Sequence, residues 1–321
     1  MSRSPEVSLI QNLIIAINCV TPVFFSICVG YLIRRTNVVP AETYSHISTV
    51  AFYILLPAQI FANIYGAELS TAFDPDVMLF MVVGVLLWFC VAYGSCTLLE
   101  PDRRARGAMV QSFFRTNIAV IGISMAGPMM DSAGLACMSM LIAVVVPIYN
   151  VLAVVTLESC RGQKVDLRST LKGIATNPLI IACMVGLVFL LTGLKLPSSI
   201  ETAVRNLGIS GGVMTLLSLG ASFQVRGLMK NWKKVTVANL LRLVVAPFVF
   251  VVSAILLGFR GNALGCILMC TASPLAAAAF PMAIARDSDH ELTGQIVVTT
   301  SFLCCFTMFL WIFFLKQLGF L

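Results

Sequence analysis

The sequence predicts an all-α polytopic membrane protein. Ten transmembrane helices form two inverted five-helix repeats, with broken helices four and nine crossing at mid-membrane. Three observations carry this prediction. Of 321 residues, 59% are hydrophobic and 11% charged, with a mean hydropathy of +0.96; a soluble domain carries roughly a quarter charged residues. Apolar runs of bilayer-spanning length recur along the chain. Two of those runs are interrupted by Gly or Pro at corresponding places in the two halves, the pattern that points to a transporter site between inverted repeats.

Helix one is expected over 9–33, too long a run for the apolar core of a cleavable signal. It contains Thr21-Pro22, with Gly30 eight residues past the proline. Helix two, 44–65, carries Pro57 within ILLPAQIF, then Gln59 and Asn63. Helix three spans 77–99. Helix four, 107–130, holds RTNIAVIGISMAGP, Arg115 to Pro128, whose charge, amide, two glycines and proline have no use on a lipid-facing surface. Helix five, 134–157, carries Pro147, Tyr149 and Asn150. Helix six, 174–193, opens on Asn177-Pro178, and Gly186 again follows the proline by eight residues. In helix seven, 203–225, Ile209, Leu217 and Phe223 match Ile47, Leu55 and Phe61 of helix two at a constant offset of 162. Its Gly211, Gly212, Ser218 and Gly220 form a small-residue packing face. Helix eight, 235–257, contains Arg242, eight residues past Lys234 and read as an interfacial anchor. Helix nine, 261–284, includes TASPLAAAAFP, Thr271 to Pro281; helix ten is 292–315. Five is odd, so the second set of five enters the membrane upside down. Residues 1–157 form the first repeat, 158–173 a short cytoplasmic linker and 174–321 the second repeat.

The basic residues sort by side. Arg34, Arg35, Arg103, Arg104, Arg106, Arg161, Lys164, Arg168, Lys172, Arg226, Lys230, Lys233, Lys234 and Arg286 fall in one set of loops. Only Arg3, Lys195, Arg205, Arg260 and Lys316 fall in the other. The richer side is expected to be cytoplasmic. That makes the chain a multi-pass protein of the cell (inner or plasma) membrane with both termini outside. The net charge of +7 follows from this bias and calls for no nucleic acid. Ten of the eleven cysteines lie in apolar segments and read as small buried residues rather than disulfides. No Asp or Glu sits deep in a helix, against a proton pump or sodium/proton antiporter. No metal site, cofactor motif or catalytic set appears, so an enzyme is not expected.

Arg115 lies about eight residues inside helix four, roughly 12 Å deep at 1.5 Å per residue. It either snorkels back to the headgroups or attracts an anionic substrate in a cavity. Asn117 is deeper; it bonds a neighbouring helix or serves the substrate and the crossing. Pro274 and Pro281 bracket four alanines that let another backbone approach, with Ser273 and Thr271 placed to satisfy carbonyls freed by Pro274. Half-helix N-termini facing the centre would favour an anion such as a carboxylate. Asn177 is a helix cap, a role compatible with ligand binding at a cavity mouth. Pro128 reads as a helix stop and Gly122 as the bend of helix four.

The residues resemble the auxin efflux carrier family, in its small bacterial branch that includes malonate transporters. The pieces are TPVFFSICVGYLIRR, FYILLPAQIF, RTNIAVIGIS, VPIYN, NPLIIACMVG, TLLSLGASF and the proline-bearing helix nine. The long central loop of the large plant carriers is absent. The resemblance implies ten helices in two inverted repeats, divided into a scaffold and a transport domain, with helices four and nine crossing. It implies that Asn117 and Asn177 hold the substrate carboxylate and that Leu56, before the helix-two proline, lines the same pocket. Plant carriers tend to have proline before the helix-four asparagine; here Thr116 follows Arg115, which favours a more highly charged anion. The reading is a secondary carrier of small organic anions working by alternating access in the lipid bilayer, with a homodimer as the candidate assembly. A sodium-coupled symporter of bile-acid-symporter-like fold and a non-transporting membrane receptor are the alternatives.

Overall fold

A computed structural model describes residues 5–67, 74–127, 129–161, 171, 174–223 and 229–321, with side chains from residue 21 onward, Ala41 excepted. Pro128, expected to stop helix four, lies outside these residues, as does most of the 158–173 linker. The described residues are helical and turn structure, without strands. In order they form α1 (Pro5–Thr36), α2 (Ala41–Val50), α3 (Leu56–Tyr65), α4 (Pro75–Leu99), α5 (Arg103–Phe114), α6 (Ile123–Ala126) and α7 (Ser132–Arg161). Then come α8 (Pro178–Thr192), α9 (Ser198–Ser222), α10 (Trp232–Leu240), α11 (Ala246–Leu256), α12 (Gly261–Ala272), α13 (Ala279–Ala285) and α14 (His290–Gln317).

Among the described residues, five helical stretches are long and apolar enough to cross a membrane: Glu42–Tyr65, Pro75–Leu99, Ser132–Arg161, Trp232–Leu256 and His290–Gln317. Two of them contain a π-helical turn, Ala51–Leu55 between α2 and α3 and Leu241–Val245 between α10 and α11. Each turn ends two residues before a proline, Pro57 and Pro247. A proline cannot donate to the carbonyl four residues back, and the widened turn absorbs that loss. At Leu243, the carbonyl facing Pro247, the Trp311 indole N–H donates instead, at 3.1 Å.

Two groups of helices pack side by side. In the first, α1 lies on α9 with backbones in direct approach: Gly30 faces the Leu217 carbonyl and Gly220 faces that of Ile27. On α8, Gly186 faces Ile64 of α3. In the second, α4, α7, α10, α11 and α14 pack around two interrupted helices, α5 continued by α6 and α12 continued by α13. Ion pairs gather the basic loops at one end of the molecule. Lys234 pairs with Glu100 at 2.8 Å, Arg104 with Asp287 at 2.7 Å, and Arg286 with Glu158 near the end of α7. At the opposite end of α7, Asn262 donates to the Asp131 carboxylate at 2.7 Å.

Candidate functional site

Two interrupted helices make the centre of the second group. The first runs through α5, leaves helical geometry at Arg115 (φ −82°, ψ 125°) and resumes as a π-helical turn, Ile118–Gly122, continued by α6. The second runs through α12, becomes extended at Ser273 (φ −63°, ψ 148°) and resumes at α13. The breaks meet: the Asn117 backbone N–H donates to the Pro274 carbonyl at 2.8 Å. Pro274 supplies no N–H of its own, and the Ser273 hydroxyl donates to the Met269 carbonyl. The Leu275 N–H is held by the Thr300 hydroxyl at 3.3 Å.

Gly122 is not the bend. The break falls at 115–117, before it, and Gly122 closes the π-helical turn that follows. Its role is close approach: a Cβ there would stand 3.0 Å from the Ser273 hydroxyl and 3.2 Å from the Met269 carbonyl. Pro281 also lies past its break, inside α13, leaving Ser273 to Ala278 as the irregular stretch.

A cavity of about 90 Å³ adjoins the crossing, several times the 10–15 Å³ or so that one water needs on this measure. Arg115, Thr116 and Asn117 line it from the first break and Ala276 to Ala278 from the second. Leu56, Gln59 and Asn63 face it from α3, and Tyr149 and Asn150 from α7. Arg115 does not snorkel. It is buried, and its guanidinium donates to the Asn150 side-chain oxygen at 2.9 Å and the Gln111 side-chain oxygen at 3.2 Å, touching the Met282 sulfur. None of the ion pairs among the described residues engages it. The Asn117 side chain is half-buried and faces the cavity.

Three of the expected substrate residues, Leu56, Arg115 and Asn117, therefore line one cavity, Leu56 from α3 and the other two from the first break. Asn177 does not line this cavity. It is fully buried and caps α8, its side-chain oxygen accepting from the N–H groups of Leu179 (2.9 Å) and Ile180 (3.4 Å). Among the described residues its amide nitrogen has no hydrogen-bond partner.

Gln59, Asn63 and Asn150 were not singled out as site residues by sequence reasoning. Their signal was present: Gln59 and Asn63 stand four apart after Pro57, so one face of α3 presents two amides. Arg242 overturns its expected role as an interfacial anchor. It is 2% exposed. Its guanidinium donates to the Phe113 carbonyl at 2.8 Å and also to the Thr271 carbonyl, one on each broken helix. Counting positions from Lys234 placed it near the interface, but the side chain turns inward from a π-helical turn.

A family described as membrane transport protein matches residues 15–312. The chain is similar to an uncharacterized transporter of Methanothermobacter thermautotrophicus, 23% identical over 296 residues that cover 91% of this chain and 96% of that protein. It is also similar to an uncharacterized transporter of Methanocaldococcus jannaschii, MJ1031, 22% identical over 302 residues covering 90% and 95% of the two chains.

Proposed function

The chain belongs to the membrane transport protein family, that of the auxin efflux carriers, and from that premise we propose that it is a secondary carrier of small organic anions, with malonate or a similar dicarboxylate as substrate. One observation carries the proposal. Arg115 is a buried cation on the cavity wall, held by amides and a thioether, with no ion pair among the described residues. Leaving a charge buried without a counter-charge costs several kcal/mol, and ionisable groups inside membrane segments mark substrate pathways. A carboxylate in the cavity would offset that cost, with Arg115 as the charge partner and the Asn117, Gln59 and Asn63 amides as orienting groups. A second carboxylate would find the N–H groups at the turns of Ile118–Gly122 and Ala276–Ala278.

Alternating access would move the crossing, with the Arg115 wall, relative to the group built on α1, α3, α8 and α9. Ten spans in two inverted five-helix repeats, with basic loops in the cytoplasm and both termini outside, is the architecture we propose for this motion. The repeated Pro-to-Gly spacing of helices one and six and the gathering of basic loops at one end support it. Asn177 enters as a cap whose amide nitrogen remains available to a ligand in another conformation.

The test is uptake of labelled malonate, malate and indole acetate into proteoliposomes by the wild type, Asn117→Ala and Arg115→Ala. Dicarboxylate uptake that both variants lose is the expected result. A variant with normal uptake of whatever the wild type carries would remove its residue from the site.

A further inference from the structure

The C-terminal ends of α5 and α12 meet at the crossing, and one side chain, Arg242, reaches both of them. A helix leaves its last carbonyls without intrahelical partners, and its C-terminus carries roughly half an elementary negative charge. Two such ends facing one buried space amount to about one negative charge. In carriers with broken helices, unwound carbonyls and half-helix C-terminal ends commonly coordinate a sodium ion or a proton-bearing group. Here Arg242 donates to Phe113 of α5 at 2.8 Å and to Thr271 of α12. The Trp88 indole adds a second donor to the Phe113 carbonyl at 2.9 Å. Arg242 is buried, and none of the ion pairs among the described residues engages it. Its counter-charge is the pair of helix ends.

We propose that the Arg242 guanidinium is the crossing's own cation, tethered where a bound monovalent cation would otherwise join the C-terminal ends of α5 and α12. The position of Arg242 suits that role. It sits in the π-helical turn Leu241–Val245, which widens the helix ahead of Pro247 and aims the side chain across to both breaks. A planar fork of donors reaches two carbonyls at once, which a lysine ammonium on a flexible stem does with less geometric constraint. The crossing then holds together without an inorganic cation. This inference rests on the carrier reading for its biological meaning, but the test reads stability and does not depend on the substrate.

Thermal unfolding of the purified full-length protein in detergent, in sodium, potassium or choline chloride at one ionic strength, supplies that test. The wild type is expected to unfold at the same temperature in all three salts. Arg242→Ala is expected to unfold several degrees lower and to recover saturably with millimolar guanidinium, which fits the vacated space. Arg242→Lys, retaining a cation, is expected to fall less and to ignore guanidinium. Saturable stabilisation of the wild type by sodium would overturn the proposal. So would an Arg242→Ala protein that guanidinium and sodium leave unchanged, since loss of packing alone has no cation dependence. Should Arg242→Ala not accumulate, the wild-type salt series and Arg242→Lys decide the matter by the same criteria.

Discussion

The backbone N–H of Asn117 donates to the backbone carbonyl of Pro274 at 2.8 Å, so a main-chain bond joins the two broken helices at their breaks, beside the Arg242 side chain that bridges Phe113 and Thr271. The Asn117 side chain is not part of that joint; it faces the cavity. Asn117→Ala is therefore expected to keep the crossing, with a stability change within about 0.5 kcal/mol, as for substitutions outside packing and hydrogen-bond networks. Its substrate uptake should nevertheless be lost. Unfolding temperature and uptake measured on the same preparation separate the two effects; a large fall in stability would mean that the side chain builds the crossing.

Asn150 presents its side-chain oxygen to Arg115 at 2.9 Å. Replacing the amide by a carboxylate leaves the shape almost unchanged and gives Arg115 a permanent counter-anion. Asn150→Asp is expected to fold as the wild type does and to weaken anion uptake by about tenfold or more, equivalent to about 1.4 kcal/mol of lost attraction. The loss should appear in the substrate concentration for half-maximal uptake. An unchanged value would show that Arg115 does not attract the substrate.

At Asn177 the cap and any ligand role use different atoms. The oxygen caps α8, and the amide nitrogen has no partner among the described residues. Asn177→Asp preserves a capping oxygen, because Asp and Asn cap about equally well. Asn177→Ala removes it, at a cost of about 1 kcal/mol. We expect Ala to lower both stability and uptake and Asp to lower uptake alone. Normal uptake by Asn177→Asp would reduce the residue to a helix cap.

Composition and proline spacing made the helical membrane class and the two interruptions legible. Thr116-Asn117 and Ser273-Pro274 placed polar and helix-breaking residues where the main chain leaves helical geometry. The position of the first break was misread, because Gly122 is the more flexible residue locally. The chain instead leaves helical geometry where Asn117 reaches a backbone partner, and sequence does not reveal a partner 157 positions away. Arg242 was misread for a related reason. Depth along a helix says nothing about which way a side chain points, and here that direction depends on a π-helical turn. Gln59 and Asn63 were legible as a pair of amides on one helix face, but only the fold shows that this face lines the same cavity as Asn150.

Asp131 links the start of α7 to the start of α12. The Gly134 N–H at 2.9 Å holds its carboxyl below the ordinary carboxylate value, and Asn262, donating at 2.7 Å, adds to the effect. A depressed folded-state value contributes stability that is present above the unfolded value of 3.8. That stability is lost as pH falls through the folded value. Wild-type protein should therefore lose more stability than Asp131→Asn on acidification below about pH 4, and the two should run parallel at neutral pH. Parallel curves over the whole acid range would remove Asp131 from the linkage.

The joint between α1 and α9 leaves no room for a methyl group. A Cβ on Gly30 would strike the Leu217 carbonyl, and one on Gly220 would strike that of Ile27. Both obstacles are main chain, so neither yields as a flexible side chain would. The helices would have to separate, and overpacking of this kind costs about 1–3 kcal/mol or more. Gly94, inside α4, has no described residue beyond its own stretch of helix within 4 Å of where its Cβ would stand. There, alanine gains the roughly 0.5–1 kcal/mol by which it exceeds glycine in a helix. We therefore expect Gly30→Ala and Gly220→Ala to lower the unfolding temperature in detergent and Gly94→Ala to raise it. The opposite signs distinguish close helix packing from a general sensitivity to glycine replacement. A loss at all three positions would contradict the α1–α9 contact as the cause.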